Sequence, residues 1–488
     1  MTANPHHAKR WTILLILALA QLMVVLDATI VNIALPSAQR ALHFANSERQ
    51  WIVTAYALAF GSLLLLGGRI SDLFGRKWTF VVGLAGFAIA SAVGGAAQSF
   101  GMLAASRTLQ GAFGALLAPA AMSLLTTTFL DPAERNKAFG IWGAIAGSGA
   151  SIGLILGGVL TQTLSWRYSM YVNLVFAAIA IAGALTLLHN ETPAVKPKLD
   201  IPGVLTVSGG LFSLVFGFSH AESTSWTNPI TLGFLIGGGV LLTLFAAIQS
   251  RSRNPLLPLR VVTNRNRAAS FMTIGISGSA VFGVFLFLTY YLQQSRGYSP
   301  VATGIAFLPM TGAVMVSAAV ATNKLRARFG PRALVVTGMA LGAAGMLYLS
   351  RLGVDSSYAS AILPALIAIG VGLGLSMASA MNSATLGVQA ADAGVASATV
   401  SASQQIGGSV GTALLSTIAT SALSTYITGA HAHVSQALLA HAAVHADTTA
   451  FVWAAAIFAI GAVIAGSLFE RGTKALEVEP GMAPALAH

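Results

Sequence analysis

The sequence contains no cysteine and few charged residues. Without cysteine, disulfides, thiolate metal sites and cysteine nucleophiles are excluded. Only 8% of the 488 residues are charged, whereas a soluble protein of this length carries about 25%. The composition is 55% hydrophobic, and apolar runs of about 20 residues recur along the chain. Both features predict a helical protein that crosses a lipid bilayer many times.

Acidic residues are scarcer than basic ones, 14 against 26, which gives a net charge of +12. Such a charge would suit a nucleic-acid partner, but the basic residues recur between the apolar runs and do not interleave with aromatic residues on a soluble segment. Their placement follows the positive-inside rule of membrane proteins. We therefore expect contact with a lipid bilayer and no nucleic-acid partner.

The apolar runs predict fourteen transmembrane helices. An even number places both termini on one side of the membrane. If that side is the cytoplasm, the inner segments hold 20 of the 26 lysines and arginines, which supports the count and the orientation. The first run is too long for the core of a signal peptide, so it is expected to remain as a helix. The predicted spans lie near 11–35, 50–67, 78–98, 101–128, 138–160, 167–188, 202–219, 229–249, 267–293, 301–322, 333–350, 358–386, 394–426 and 450–469.

The two halves of the chain share short sequence matches. Phe74-Gly75-Arg76 aligns with Phe329-Gly330-Pro331, and Ile152-Gly153 aligns with Ile406-Gly407, at an offset of about 255 residues. Matches in the same order favour two six-helix bundles, as in transporters built from parallel repeats. The predicted parts are an N-terminus at 1–10, bundles at 11–188 and 267–469, a linker with two inserted helices at 189–266, and a tail at 470–488.

One carboxylate, Asp27, lies inside the first apolar run. A charged side chain at bilayer depth costs about 2.5–3.5 kcal/mol on insertion scales, so such residues usually mark an ion or substrate path. No second acid is expected inside an apolar span. On a helix, Gln21, Thr29 and Asn32 cluster on one face, and Asp27 lies about 120–160° away from them. The partners of Asp27 must therefore come from other helices, with Arg107 first, and which face lines a cavity stays open.

Arg107 lies within the fourth predicted helix and needs polar partners there. It shares one helix face with Gln110 and Gly114 because of their spacing. Two interpretations stay open. Arg107 is either a structural arginine satisfied by backbone carbonyls or a functional partner of a carboxylate.

A basic loop at 67–77 joins the second and third predicted helices. Its glycines permit a tight turn, and Asp72 can lie near the positive start of the third helix. Taken alone, the loop is compatible with an ordinary basic cytoplasmic turn. The aligned loop of the second half, 324–332, has no acid where Asp72 would fall.

These segments resemble the motifs of the major facilitator superfamily, in particular its fourteen-helix drug:proton antiporters. The loop reads G-G-R-x-x-D-x-x-G-R-K, and the fourth helix reads R-x-x-Q-G-x-x-G from Arg107. The fifth helix carries exporter-type glycines, with Leu154 where the family usually has proline, and this replacement removes an expected kink. The first helix reads Leu26-Asp27-Ala28-Thr29-Ile30-Val31-Asn32-Ile33-Ala34-Leu35-Pro36.

The resemblance implies an all-α polytopic membrane protein with the major facilitator fold, two six-helix bundles plus two inserted transmembrane helices. The expected location is the inner (plasma) membrane of a bacterium, with both termini cytoplasmic. The implied function is efflux of amphipathic or cationic drugs, coupled to inward movement of protons, with no enzymatic activity, cofactor or metal. The site candidates are Asp27 and Arg107 for proton coupling; Gly68, Arg69, Asp72, Gly75 and Arg76 for a cytoplasmic gate loop; Gly149, Gly153, Gly157 and Gly158 as hinge glycines; and Asn32, Gln110, Tyr56, Trp142, Asn173 and Gln404 for the substrate cavity.

Other functions fit parts of the sequence. A dedicated exporter of one metabolite or self-made antibiotic, or an importer, would carry the same motifs. A membrane enzyme is disfavoured because no lysine is followed by Ser or Thr, which excludes a G-K-[ST] phosphate loop. The glycines at 149–158 are equally compatible with close packing alone. Histidines in the predicted external segment 427–449 would suit metal binding or pH sensing, but no pattern fixes a ligand geometry, so solvated loop residues are expected; they are His431, His433, His441 and His445.

Overall fold

The computed structural model describes residues 9–44, 46–189, 200–252, 255–321, 325–389, 392–429 and 435–471, which are mostly helical and contain no β-strand. The first half holds α1 (Arg10–Leu42), α2 (Asn46–Phe74), α3 (Arg76–Gly95), α4 (Phe100–Thr128), α5 (Pro132–Thr163), α6 (Tyr168–Leu187), α7 (Ile201–Ser223) and α8 (Pro229–Arg251). The second half holds α9 (Leu259–Thr263), α10 (Arg265–Tyr290), α11 (Pro300–Ala306), α12 (Leu308–Val320), α13 (Arg326–Leu349), α14 (Leu363–Thr385), α15 (Ala393–Gly429) and α16 (Gln436–Leu468), with π-helical turns at Tyr291–Ser295 and Tyr358–Ile362.

Thirteen helical segments of the described residues are long and apolar enough to cross a membrane. The helix α5 spans 32 residues and is not one of the thirteen. The prediction of an all-helical polytopic membrane protein is therefore confirmed. The count of fourteen spans stays a prediction.

The helices form two groups. In the first group, α1–α6, α4 lies between α2 and α3, while α1 packs on α5 and α6. In the second group, α10–α16, α14 packs on α12 and α13, while α15 packs on α10 and α16. The groups meet at two places: α2 and α4 contact α15 at the first interface, and α5 contacts α11, α12 and α14 at the second interface. This packing supports the predicted pair of bundles, whose boundaries stay a prediction.

The aligned tripeptides of the two halves share a backbone conformation. Gly75, between α2 and α3, has φ 93°, and Gly330, near the start of α13, has φ 74°. Glycine adopts such angles readily because it has no Cβ atom to clash with the backbone. The chain therefore bends in a similar way at equivalent points, as the sequence repeat predicts.

Glycines on α5 and α15 allow two equivalent close helix crossings. A Cβ atom at Gly157 of α5 would lie 3.1 Å from the Cα atom of Ile30 on α1. A Cβ atom at Gly407 of α15 would overlap the carbonyl of Gly275 on α10. Backbones approach this closely where a side chain is missing. Among the predicted hinge glycines, Gly149, Gly153 and Gly157 pack on α1 and Gly158 is buried, and α5 continues as a helix through Leu154; their hinge role stays a prediction.

The two inserted helices, α7 and α8, differ in their surroundings. α8 packs on α7 and exposes apolar side chains such as Ile236, as expected for contact with lipid. α7 packs on α2 of the first group and on α15 of the second. The hydroxyls of Ser219 and Thr54 lie 3.1 Å apart, and just beyond α7 the Trp226 indole donates to the Thr417 hydroxyl at 2.8 Å. α7 therefore connects the two groups.

The segment 427–449, predicted as an external loop, is largely helical. α15 continues to Gly429 and α16 begins at Gln436, so His441 and His445 lie on a helix. The polar residues in the first turns of α16 lower its hydropathy, which is why the apolar run begins later than the helix. In the described part of the chain, no three His, Cys, Asp or Glu residues are grouped to hold a metal ion. His431, His433, the linker 190–199 and the tail 472–488 lie outside the described residues.

We predict that Gly407→Ala lowers the free energy of unfolding by about 1–3 kcal/mol, because the added methyl group overlaps the Gly275 carbonyl and must separate α10 from α15. The measurement is the thermal unfolding midpoint of the purified protein. Gly239→Ala on α8 is the matched control, since nothing lies within 4 Å of a Cβ atom there. Equal midpoints for the two variants would contradict the role given to this crossing.

Candidate functional site

The candidate site is centred on Asp27, which is 0% exposed in the interior of the first group. Arg107 Nη1 of α4 lies 2.5 Å from Asp27 Oδ2, a hydrogen-bonded ion pair. Arg107 is itself only 1% exposed. Each charge is therefore removed from solvent and compensated by the other, which is the condition under which buried charges are tolerated.

Two amides donate to the other carboxylate oxygen. Gln110 Nε2 of α4 donates to Asp27 Oδ1 at 3.0 Å, and Asn173 Nδ2 of α6 donates to the same oxygen at 2.7 Å. Gln110 also donates to Ser91 Oγ of α3 at 2.7 Å, and its Oε1 accepts from Arg107 at 2.7 Å. Three donors thus face one carboxylate, the hydrogen-bonding environment that an ionised acid requires.

Arg107 has further partners on α2. Its guanidinium carbon lies 4.5 Å from the centre of the Tyr56 ring, a cation–π distance, and its Nε donates to the Ile52 carbonyl at 3.4 Å. Arg107 thus contacts a backbone carbonyl and also pairs with a carboxylate; its functional role stays a prediction. The site brings α1, α2, α3, α4 and α6 together around one ion pair.

The structure separates the polar residues of α1, as the helical periodicity predicts. Asp27 lies in the network, whereas the Thr29 hydroxyl donates to the Val25 and Leu26 carbonyls of its own helix and lies against Gly153 of α5. The side chain of Asn32 lies outside the described residues.

The predicted cavity residues occupy different environments. Gln110 and Asn173 are fully buried beside Asp27, and Tyr56 is buried against Arg107. Trp142 is buried in the apolar core that includes α5. Gln404 is half-buried on α15, where that helix crosses α10. The cavity role of these residues stays a prediction.

The sequence reasoning missed two polar residues. Ser91 links Gln110 and Asn173, and a lone serine in an apolar span gives no signal of this role. The expectation that no second acid lies inside an apolar span was wrong, because Asp447 lies within the candidate span formed by α16 and is 7% exposed. The sequence prediction began the last helix at 450, which left Asp447 in a loop, whereas α16 begins at Gln436.

The gate loop, residues 67–77, was predicted as a loop but consists of the last turns of α2, a bend at Gly75 and the first residues of α3. It contacts the second group at the first interface. Asp72 Oδ1 accepts a hydrogen bond from the Gly394 amide at 3.2 Å, at the start of α15, where the positive end of the helix dipole favours a carboxylate. Arg76 Nη2 lies 4.0 Å from the same oxygen. A Cβ atom at Gly68 would lie 2.6 Å from the Gly394 carbonyl, so α2 and α15 touch here, and Arg69 is buried nearby. The two groups are therefore in contact at this end of the first interface.

Comparisons with known proteins give concordant results. The family model described as Major Facilitator Superfamily matches residues 17–412. A puromycin resistance protein of Streptomyces alboniger is 45% identical over 96% of this chain and 93% of its own length. A tetracenomycin C resistance and export protein of Streptomyces glaucescens is 36% identical over 85% of this chain and 76% of its own length. The crystal structure of the human organic anion transporter MFSD10 covers 94% of this chain and 99% of its own, with a TM-score of 0.62 at 16% identity, which shows a shared fold.

We predict that Arg107→Gln destabilises the protein by about 3–5 kcal/mol, because it leaves the Asp27 carboxylate buried without its cation. The double variant Asp27→Asn with Arg107→Gln should lose less, since both charges are gone. Thermal unfolding midpoints of the parent, both single variants and the double variant form the cycle. Additive losses would show that the two residues do not interact.

We predict that Gly394→Ala opens the first interface at the gate loop, because the added methyl group meets the Gly68 carbonyl and the Asp72 carboxylate. Since the chain has no cysteine, Ser397→Cys on the buried part of α15 gives a single reporter. Its labelling by a maleimide should become about tenfold faster, in line with an overpacking cost of 1–3 kcal/mol. Gly429→Ala, at the open end of the same helix, should leave the rate unchanged; an equal increase in both would refute the prediction.

Proposed function

The chain belongs to the major facilitator superfamily, and on this basis we propose that it is a secondary active exporter of amphipathic or cationic antibiotic-like molecules, driven by inward movement of protons. The family establishes a multi-pass membrane transporter rather than an enzyme. The observation that carries proton coupling is the fully buried Asp27 carboxylate paired with Arg107. Intramembrane ionisable residues of this kind commonly belong to ion pathways.

The network suggests how Asp27 would couple the two movements. A proton that reaches Asp27 removes its negative charge, so Arg107 loses the partner that compensates it. The amides of Gln110 and Asn173 then face a neutral acid, which needs an acceptor for its own proton. The network must rearrange, and because residues of five helices take part, the change reaches the whole first group. One proton that crosses 100 mV supplies about 2.3 kcal/mol, roughly fortyfold in a concentration ratio.

The gate loop would set which side of the membrane is open. The contact of Asp72 with the start of α15 supports a conformation closed at this end. We assign this end to the cytoplasm, with both termini on the same side, because the basic residues concentrate there. Export requires the two groups to rock so that the gate loop separates from α15. The membrane would be the inner membrane of a bacterium, as the organisms of the relatives suggest.

A dedicated exporter of one self-made antibiotic is the second candidate. It is favoured by the tetracenomycin C relative, whose name states both resistance and export. The two candidates differ in breadth, which a resistance profile of a deletion strain measures. Sensitivity to many unrelated compounds supports broad efflux, and sensitivity to one supports the dedicated exporter.

We predict that Asp27→Asn abolishes efflux driven by a pH gradient, because an amide cannot take up the proton. The measurement is substrate uptake into energised everted vesicles that contain equal amounts of protein. Asp447→Asn is the matched control, since it removes a buried acid from a candidate membrane span of the second group and should leave transport largely intact.

Two results would contradict this proposal. If Asp27→Asn transports several substrates under a pH gradient at the parental rate, Asp27 is not the proton site. If Asp447→Asn alone removes the dependence on the gradient, proton coupling lies in the second group instead.

A further inference from the structure

The gate-loop end of the second interface lacks the carboxylate that the first interface has. At the first interface, the Asp72 carboxylate meets the start of α15. In the aligned loop of the second half, Ala327 takes the place of Asp72, beside a second bend at Gly330. The residue before it, Arg326, is 1% exposed. A buried cation therefore lies next to the position at which the repeat would place an acid.

Arg326 is only partly satisfied by its neighbours on α14. Its Nη1 donates to the Ser379 carbonyl at 3.2 Å, and its Nη2 donates to the Ser383 hydroxyl at 3.1 Å. Its Nε is buried without a hydrogen-bond partner, and so is the Ser379 hydroxyl. Within the described ranges, no carboxylate forms an ion pair with this guanidinium.

A second arginine of the first group lies near this place. Arg135, in the first turns of α5, lies close enough to Arg326 to interact with it electrostatically, and α5 packs on α14 at this interface. The Arg135 Nε is also buried without a hydrogen-bond partner. Of the two nearby acids, Glu134 pairs with Arg10 at 2.6 Å. Asp131 caps α5 by accepting from the Glu134 amide at 2.9 Å; it is exposed and interacts electrostatically with Arg135, but it makes no ion pair with Arg326 among the described residues.

Two like charges at a buried interface repel each other, and Arg326 has no compensating acid among the residues that the structure describes. The free donors at this place are two guanidinium N–H groups, from Arg135 and Arg326, and the Ser379 hydroxyl. Arginine and serine donors are the groups that proteins use to bind phosphate oxygens.

We propose that this place is an anion site, in which a phosphate group bridges Arg135 of the first group and Arg326 of the second. The bound phosphate supplies at the second interface the negative charge that Asp72 supplies at the first. It holds the two groups together at the gate-loop end and is released when they separate. Phosphate of this kind comes from a lipid headgroup or from inorganic phosphate in solution.

The test measures the thermal unfolding midpoint of the purified full-length protein. One arm titrates inorganic phosphate against chloride at equal ionic strength, in detergent. The other arm compares nanodiscs of phosphatidylglycerol with nanodiscs of phosphatidylcholine. We expect one of these additions to raise the midpoint of the parent protein. Arg326→Gln should raise the half-saturating phosphate concentration about tenfold, as expected for loss of one charge-assisted partner. If the ligand is a lipid headgroup, the variant should instead need about tenfold more phosphatidylglycerol for the same rise in the midpoint.

Two variants keep the result interpretable. Arg135→Gln changes a half-buried side chain, so it tests the site even if Arg326→Gln does not fold. Arg328→Gln removes the same charge from an exposed position two residues away and should respond like the parent. A response to phosphate in detergent assigns the site to free phosphate, and a response only to phosphatidylglycerol assigns it to a headgroup. The proposal is overturned if neither addition raises the midpoint, or if Arg328→Gln loses the response as much as Arg135→Gln does.

Discussion

A carboxylate buried among apolar helices must be matched by a cation and by hydrogen-bond donors, and much of the first group is arranged to do this for Asp27. Arg107 and Gln110 reach it from α4, Asn173 from α6, and Ser91 of α3 holds the two amides. One charge thus sets the relative positions of four helices. A change in that charge therefore affects the packing of several helices and not one side chain alone.

The sequence predicted best those features that depend on a single helix, namely its apolar run and the residues that share one of its faces. Hydropathy predicted a protein of many membrane-spanning helices, and periodicity correctly separated Asp27 from Thr29. The spacing of Arg107 and Gln110 placed both on one face, where the structure finds both beside Asp27. Contacts between distant segments were less accessible: nothing in the sequence paired Ser91 with the amides, and Asp447 was missed because polar residues hide the start of α16.

The two halves share aligned glycines and backbone bends, but their buried charged residues differ. Glycines at helix crossings and bends align between the halves because a close backbone approach or a positive φ tolerates almost no other residue. Ionised partners can come from any neighbouring helix, so they diverge freely. The first group keeps its buried acid and base together, whereas in the second group Asp447 and Arg326 form no ion pair with each other or with any other described residue. The two bundles therefore share features of the backbone but differ in their buried ion pairs.

The position of α7 also makes the first and second interfaces differ in how they are covered on the side that faces lipid. It packs on α2 and α15 together and so covers the first interface, while no described helix outside the two groups packs on both α5 and α12. Among the described helices, one line of contact between the groups is thus covered by an additional helix and the other is not. The inserted pair therefore makes the two sides of the protein at which the groups meet structurally different toward the lipid.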